Sequence, residues 1–158
     1  MPKVQPIPAG YATATPYLAI EGAGQAIEFY KRAFGAEEVV RMPGPDGSVM
    51  HAEIRIGNSM IMLGEACAER DAPGPKALAG SPVSIMLYVE DADAVAAQAQ
   101  KAGAKITQPV GEMFRGDRYG KLEDPFGHRW GVATHVRDVT EAEMAEAMRK
   151  MSDEGQPA

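Results

Sequence analysis

Hydrophobic and polar positions along this chain fall into two successive copies of one pattern. In the first copy, residues 12–20 read as a β-strand and residues 24–34 as a helix. That helix carries Ala26, Ile27, Tyr30 and Phe34 on one face, with Gly35 at its C′ position. A strand over residues 37–42 and a Pro-Gly-Pro-Asp-Gly turn follow. The next stretch alternates: Met50, Ala52, Ile54 and Ile56 against Val49, His51, Glu53 and Arg55. Gly57-Asn58 then turns the chain into residues 59–63, completing a β-hairpin.

The second copy repeats the order. The pattern predicts a strand over residues 83–89 and a helix over residues 92–102, capped by Asp91 and closed by Gly103. Strands over 105–110, 117–123 and 128–134 come next, the last two joined by Asp124-Pro-Phe-Gly127. Residues 65–82, rich in Pro, Gly, Ala and charge, have no period and read as the link between copies. A final helix is marked by Thr140 and Glu143, which form a capping box, and by Val139 and Met144 at staple positions. Met144, Met148 and Met151 make a narrow apolar stripe that must bury against its own domain or against a second subunit.

Composition narrows the partners. The 158 residues are 45% hydrophobic and 24% charged, with a net charge of -6. That charge argues against nucleic acid and against anionic membranes as partners. No apolar run reaches membrane-spanning length. Residues 1–10 carry three prolines and no hydrophobic signal region. Cys67 is the only cysteine, so no internal disulfide can form, and cytoplasm is the expected compartment. With no evident base near it in sequence, Cys67 reads as inert.

The repeated βαβββ order resembles the vicinal oxygen chelate superfamily of glyoxalases, extradiol dioxygenases and bleomycin-resistance proteins. Ala26-Ile-Glu-Phe-Tyr-Lys-Arg-Ala-Phe-Gly35 is similar to its first-helix signature, and Asp124-Pro-Phe-Gly-His128 to the turn before its last strand. His51-Ala-Glu-Ile-Arg-Ile-Gly57, Gly116-Asp-Arg118, Asp124-to-Trp130 and Ala133-Thr-His135 resemble the PhnB-like branch. The resemblance spans roughly residues 11–151. It implies two half-cups with helices outside, a cup for a small molecule, and a homodimer.

The resemblance also implies four metal-ligand positions, usually His, Gln or Glu. Aligned on the motifs, they fall on Thr15, Met62, Ser84 and Gly131. None is a normal ligand for a hard or borderline divalent ion. Shifts of one residue (Ala14, Ile61, Val83, Trp130 or Val132) or two (Thr13, Tyr17, Met60, Met86, Arg129) give no better set. The familiar metal centre is therefore expected to be absent.

If the apolar strand faces pack on the helices, the cup receives Thr13, Thr15, Tyr17, His51, Glu53, Arg55, Met60, Met62, Ser84, Met86, Tyr88, Arg129 and His135. His51 and Glu53, two apart on one face, admit three readings. They can help bind a divalent ion completed by His135, act as an acid/base pair, or make ordinary contacts with Glu53 paired to Arg55 or Arg41. Arg115, Asp117 and Arg118 read either as a gate that holds an anionic ligand or as a solvated loop with an Asp–Arg pair. Asp124-Pro-Phe-Gly127 reads as a turn only, and His128 and Trp130 as helix-facing.

The expectation is thus an α+β protein of two βαβββ modules (residues 11–64 and 83–135), a linker (65–82) and a C-terminal helix (139–151). It is expected to be a cytoplasmic homodimer that binds a small organic molecule without a cofactor. The expected ligand-binding residues are Thr15, Tyr17, His51, Glu53, Met62, Ser84, Met86, Tyr88 and Arg118. The alternative is a lyase, isomerase or dioxygenase using one divalent ion at His51, Glu53 and His135. A third class, a structural or regulatory partner protein, is favoured if the methionine stripe is exposed.

Overall fold

The computed structural model describes residues 4–153; the first three residues of the proline-rich lead-in and the last five of the chain lie outside them. Its elements run β1 (Tyr17–Ile20), α1 (Ala23–Phe34), β2 (Glu37–Pro43), β3 (Val49–Ile56), β4 (Ser59–Glu65), β5 (Ser84–Tyr88), α2 (Ala92–Ala102), β6 (Lys105–Glu112), β7 (Asp117–Glu123), β8 (Arg129–His135) and α3 (Glu141–Asp153). They build two four-stranded mixed sheets of identical topology, β1-β4-β3-β2 and β5-β8-β7-β6. Each sheet packs one face on its own helix, and the apolar periodicity of α1 explains why. Ala26, Ile27, Phe29, Tyr30 and Ala33 are all buried, against Ile20, Ala52, Ile54 and Leu63 of the first sheet.

The helix ends are satisfied by different means. Gly22 precedes α1 in the left-handed region (φ 86°) and offers no side chain. Glu65 at the end of β4 fills the role, accepting from the backbone N–H of Gly22 at 2.7 Å and of Ala23 at 3.0 Å. In the second module Asp91 caps α2 as expected, accepting from the Ala94 N–H. Thr134 of β8 accepts from the Ala92 N–H at 2.8 Å. The α3 capping box also forms, with Thr140 N–H on Glu143 at 2.8 Å. No residue of α3 is buried; Met148 is 54% exposed and Met144 and Met151 are half-buried, so the methionine stripe is only partly covered in the single chain.

Three strand boundaries and the facing of one residue depart most from the sequence pattern. Strand β1 begins at Tyr17 and not at residue 12, because Pro16 has no N–H to extend a ladder. Strand β4 runs on through Gly64 and takes Glu65 from the expected linker, since Ile20 pairs with Glu65. Strand β6 runs on to Glu112 through register shifts at Ile106–Gln108 and Gln108–Gly111. A shift between Met42 and Pro43 rotates the start of β3, so Val49 enters the core and Met50 is 44% exposed. Met50 was expected on the helix face.

The modules join through one buried carboxylate. Asp124 is 4% exposed. Its Oδ2 accepts from the Tyr30 hydroxyl at 2.7 Å and the Trp130 indole N–H at 2.9 Å. Its Oδ1 accepts from the N–H groups of Phe126 and His128, both at 2.9 Å. Burial pushes the Tyr30 phenol well above its usual range. Phe34 packs on Trp130 (centroids 4.8 Å) and Phe29 meets Phe126 edge-on. Gln98 of α2 donates to the carbonyls of Arg32 and Ala33 at the end of α1. The Asp124-to-Gly127 segment, expected as a turn only, is the polar centre of the contact between modules.

Candidate functional site

Strand register assembles the first half of the site. Met62 pairs with Tyr17 on one side and Glu53 on the other, so the three lie in one row across β1, β4 and β3. His51 sits two residues from Glu53 on the same face. Their side chains are 24% and 18% exposed and meet at 3.2 Å between His51 Nε2 and Glu53 Oε1. The Tyr17 hydroxyl lies 3.3 Å from His51 Nδ1. Each ring nitrogen thus has one partner, with Nε2–H able to donate to the carboxylate. The second Glu53 oxygen accepts from the hydroxyl of Tyr11, which the segment before β1 carries back over the sheet. The chain Tyr17–His51–Glu53–Tyr11 therefore crosses the inner face. The Tyr11 hydrogen bond, followed by that of His51, holds the Glu53 carboxyl below its ordinary range, and the same contact raises the Tyr11 phenol.

Gly64 gives this row its room. A Cβ there would stand 2.7 Å from the Met50 carbonyl oxygen and 2.9 Å from the Tyr17 hydroxyl. Beside the row, a cavity of about 440 Å³ opens between the N-terminal segment and the sheet. Its walls include Ile7, Tyr11, Thr13, Thr15, Glu53 and Met62. Three expected site residues, Thr15, Glu53 and Met62, line this one space.

The second module carries its own network. The Tyr88 hydroxyl donates to Asp117 at 3.0 Å, and Asp117 meets His135 Nδ1 at 2.7 Å. His135 Nε2 faces Asp138 at 3.1 Å. Asp117, then Asp138, raises the His135 pKa. Met86 and Tyr88 line a larger cleft of about 920 Å³ with Phe34, Ile56 and Asn58. Ser84 lies instead at a cavity of about 500 Å³ where β1 and β5 approach, walled chiefly by Pro16, Leu18, Pro75, Leu78, Val83 and Ile85. That seam also carries the expected site residue Tyr17, with Ser81 and Arg129, but its polar groups are not joined in a network, and its His128 is spent on the Ala19 carbonyl at 3.0 Å. Convergent polar groups, more than volume, mark a specific site, so the smaller cavity over Glu53 is the stronger candidate.

Three expectations are corrected here. Arg118 was expected to bind ligand from a gating loop, but it pairs in register with Thr134, whose hydroxyl serves the start of α2. It therefore points to the helix side and grips Asp93 with two hydrogen bonds of 2.8 Å. Glu53 pairs with neither Arg55 nor Arg41; Arg55 bonds Glu37, and Arg41 bonds Glu38 at 2.7 Å. The alternative triad of His51, Glu53 and His135 is not assembled. His135 faces Asp117 and Asp138 from opposite ring nitrogens, a geometry that cannot converge on one ion. Among the described residues, no three His, Cys, Asp or Glu side chains are grouped to hold a metal.

The donor set at the family's ligand positions fits a metal no better. Thr15, Met62 and Ser84 are poor ligands. At Gly131 a Cβ would fall 2.9 Å from both Met86 Sδ and Tyr119 Cε2, so the space a ligand side chain needs is filled. Sequence reasoning missed Tyr11, Gly64 and Asp124. Tyr11 lies outside any periodic element and meets Glu53 only through the folded path of the chain.

With this geometry in view, the family is settled. The model of the Glyoxalase/Bleomycin resistance protein/Dioxygenase superfamily matches residues 15–132, and the chain belongs to that superfamily. An uncharacterized protein of Mycobacterium bovis is 40% identical over 143 residues, covering 88% of this chain and 93% of its own length. The X-ray structure of an Arabidopsis thaliana gene product, At5g48480, superposes with TM-score 0.61 at 29% identity, covering 78% of this chain and 98% of that one. TnmS3 of Streptomyces sp. CB03234, an antibiotic binding protein, shares the fold at TM-score 0.59 and 17% identity, covering 78% and 97%. Among the described residues, no helix is long and apolar enough to cross a membrane.

Proposed function

We propose that this chain is a small-molecule-binding member of the superfamily, of the PhnB-like kind. In this reading it encloses an organic ligand on the inner face of the first module and works without the usual metal centre. The supporting observation is the cavity over Thr15, Glu53 and Met62, where the Tyr11 hydroxyl bonds the one carboxylate in the wall. The antibiotic-binding role of TnmS3 is one use of the same fold and lends the reading a precedent. The protein acts as a homodimer in the cytoplasm. Dimerisation would cover the methionine stripe of α3 and exposed inner-face groups such as Tyr17 and Met86, at 54% and 46%.

Two measurements test this. Elemental analysis of untagged protein, before and after incubation with Zn, Fe, Ni and Mn and desalting, is expected to show no stoichiometric ion. A retained equivalent lost on His51→Ala would make the metal-dependent enzyme the better account. Light scattering is expected to give twice the 16.8 kDa chain mass; a monomer at micromolar concentration would remove the dimer from the proposal.

A further inference from the structure

We infer that the cavity over the first sheet takes a small organic cation, a protonated amine on an apolar body, with Glu53 as its ionic partner. The inference rests on the reading that this cavity holds a small organic ligand, and it adds the ligand's charge and class.

The argument begins with charge compensation. Glu53 is a half-buried carboxylate whose two contacts, Tyr11 and His51, come from a phenol and an imidazole. Neither is a lysine or an arginine. A carboxylate withdrawn from water is usually matched by Lys or Arg. The two nearby candidates are spent: Arg41 lies on Glu38 at 2.7 Å with Glu28 at 3.5 Å, and Arg55 lies on Glu37. The Tyr11 contact favours the charged form of Glu53, so the site presents negative charge at neutral pH.

The rest of the cavity defines the ligand's body. Ile7, Met62, Thr13 and Thr15 are uncharged, and Glu53 is the single formal charge among the lining residues. Methionine sulfur and the phenol of Tyr11 are polarizable surfaces that suit a soft cation better than a hydrated one. Arg or Lys to fork onto an anion is missing from this lining. Tyr11 and His51 take one contact on each Glu53 oxygen, and a carboxylate offers about four lone-pair sites, so an ammonium can add without displacing either. The net charge of -6 adds long-range attraction for cations.

The test uses the full-length protein and three probes of one shape: benzylammonium, benzyl alcohol and benzoate. Binding is followed by ¹H–¹⁵N NMR titration at pH 7 and low salt. Benzylammonium is expected to bind at least about tenfold more tightly than benzyl alcohol, with benzoate weakest. Glu53→Gln should reduce benzylammonium to the affinity of the alcohol and leave the alcohol unchanged. Glu37→Gln, which removes the same charge from the surface, should leave all three unchanged. An alcohol that binds as well as the ammonium overturns the cation assignment and leaves the small-molecule reading standing. An equal loss in Glu37→Gln also overturns it, because bulk charge then explains the preference. Failure of all three probes to bind overturns both the assignment and the reading beneath it.

Discussion

Replacing Asp124 by Asn exchanges one oxygen for an NH₂ group at the junction of the two modules. The best placement keeps the amide carbonyl for the N–H groups of Phe126 and His128 and turns the NH₂ toward Tyr30 and Trp130. The Tyr30 hydroxyl can rotate and accept. The indole N–H of Trp130 can only donate, and it then faces another donor at 0% exposure. Stranding a buried donor costs about 1–3 kcal/mol, and loss of the charge-assisted bonds adds to that, so the expected total is about 3 kcal/mol. In a chain of this size, that lowers the midpoint of thermal unfolding by roughly 6–12 °C. Trp130 is the only tryptophan, so urea unfolding read by its fluorescence reports on the contact itself. In the background of Trp130→Phe, followed by circular dichroism, Asp124→Asn should cost about 1–2 kcal/mol less, because the stranded donor is gone. A single variant within about 0.5 kcal/mol of the parent, or a cycle without coupling, would refute the reasoning.

Three further outcomes are expected. Tyr11→Phe removes the main cause of the lowered Glu53 pKa, so a ¹³C carboxyl titration should show Glu53 titrating at higher pH. The depressed pKa contributes stability present above the ordinary carboxylate range and lost as pH falls through the folded value. In Tyr11→Phe that loss begins at the same pH, set by the unfolded carboxyl, but is smaller and ends at higher pH; an unmoved titration would show the contact to be unimportant in solution. Gly64→Ala sets a Cβ 2.7 Å from a backbone oxygen and should destabilise by about 1–3 kcal/mol while moving Tyr17 off His51, read from the His51 ring resonances. Truncation after Arg137 removes a helix with no residue buried within its own chain, so at a dilution where both forms are monomeric the thermal midpoint should move by no more than about 2 °C; a larger fall there would show that α3 packs on the body of its own chain.

The fold was legible because duplication repeats every cue: strand alternation, an alanine-rich helix and its closing glycine. Register carried the parity argument to Tyr17, Met62, His51 and Glu53, which do share a face. It failed at Met50, the extra residue of a bulge in β3 itself, and it gave no anchor for Arg118, which was read as part of a loop. Tyr11 and Asp124 were illegible for a different reason. Each acts through a partner 42 or 94 residues away, and no local pattern encodes such a pairing.

Gly131 has a consequence for protein engineering. A designer wishing to install a metal in this cup would begin by writing histidine at that position, since the superfamily's ligand alignment points there. Met86 and Tyr119 already fill the space from neighbouring strands. Position 131 therefore has to be varied together with 86 and 119, as a three-site library in which the imidazole arrives only as its two occupants shrink.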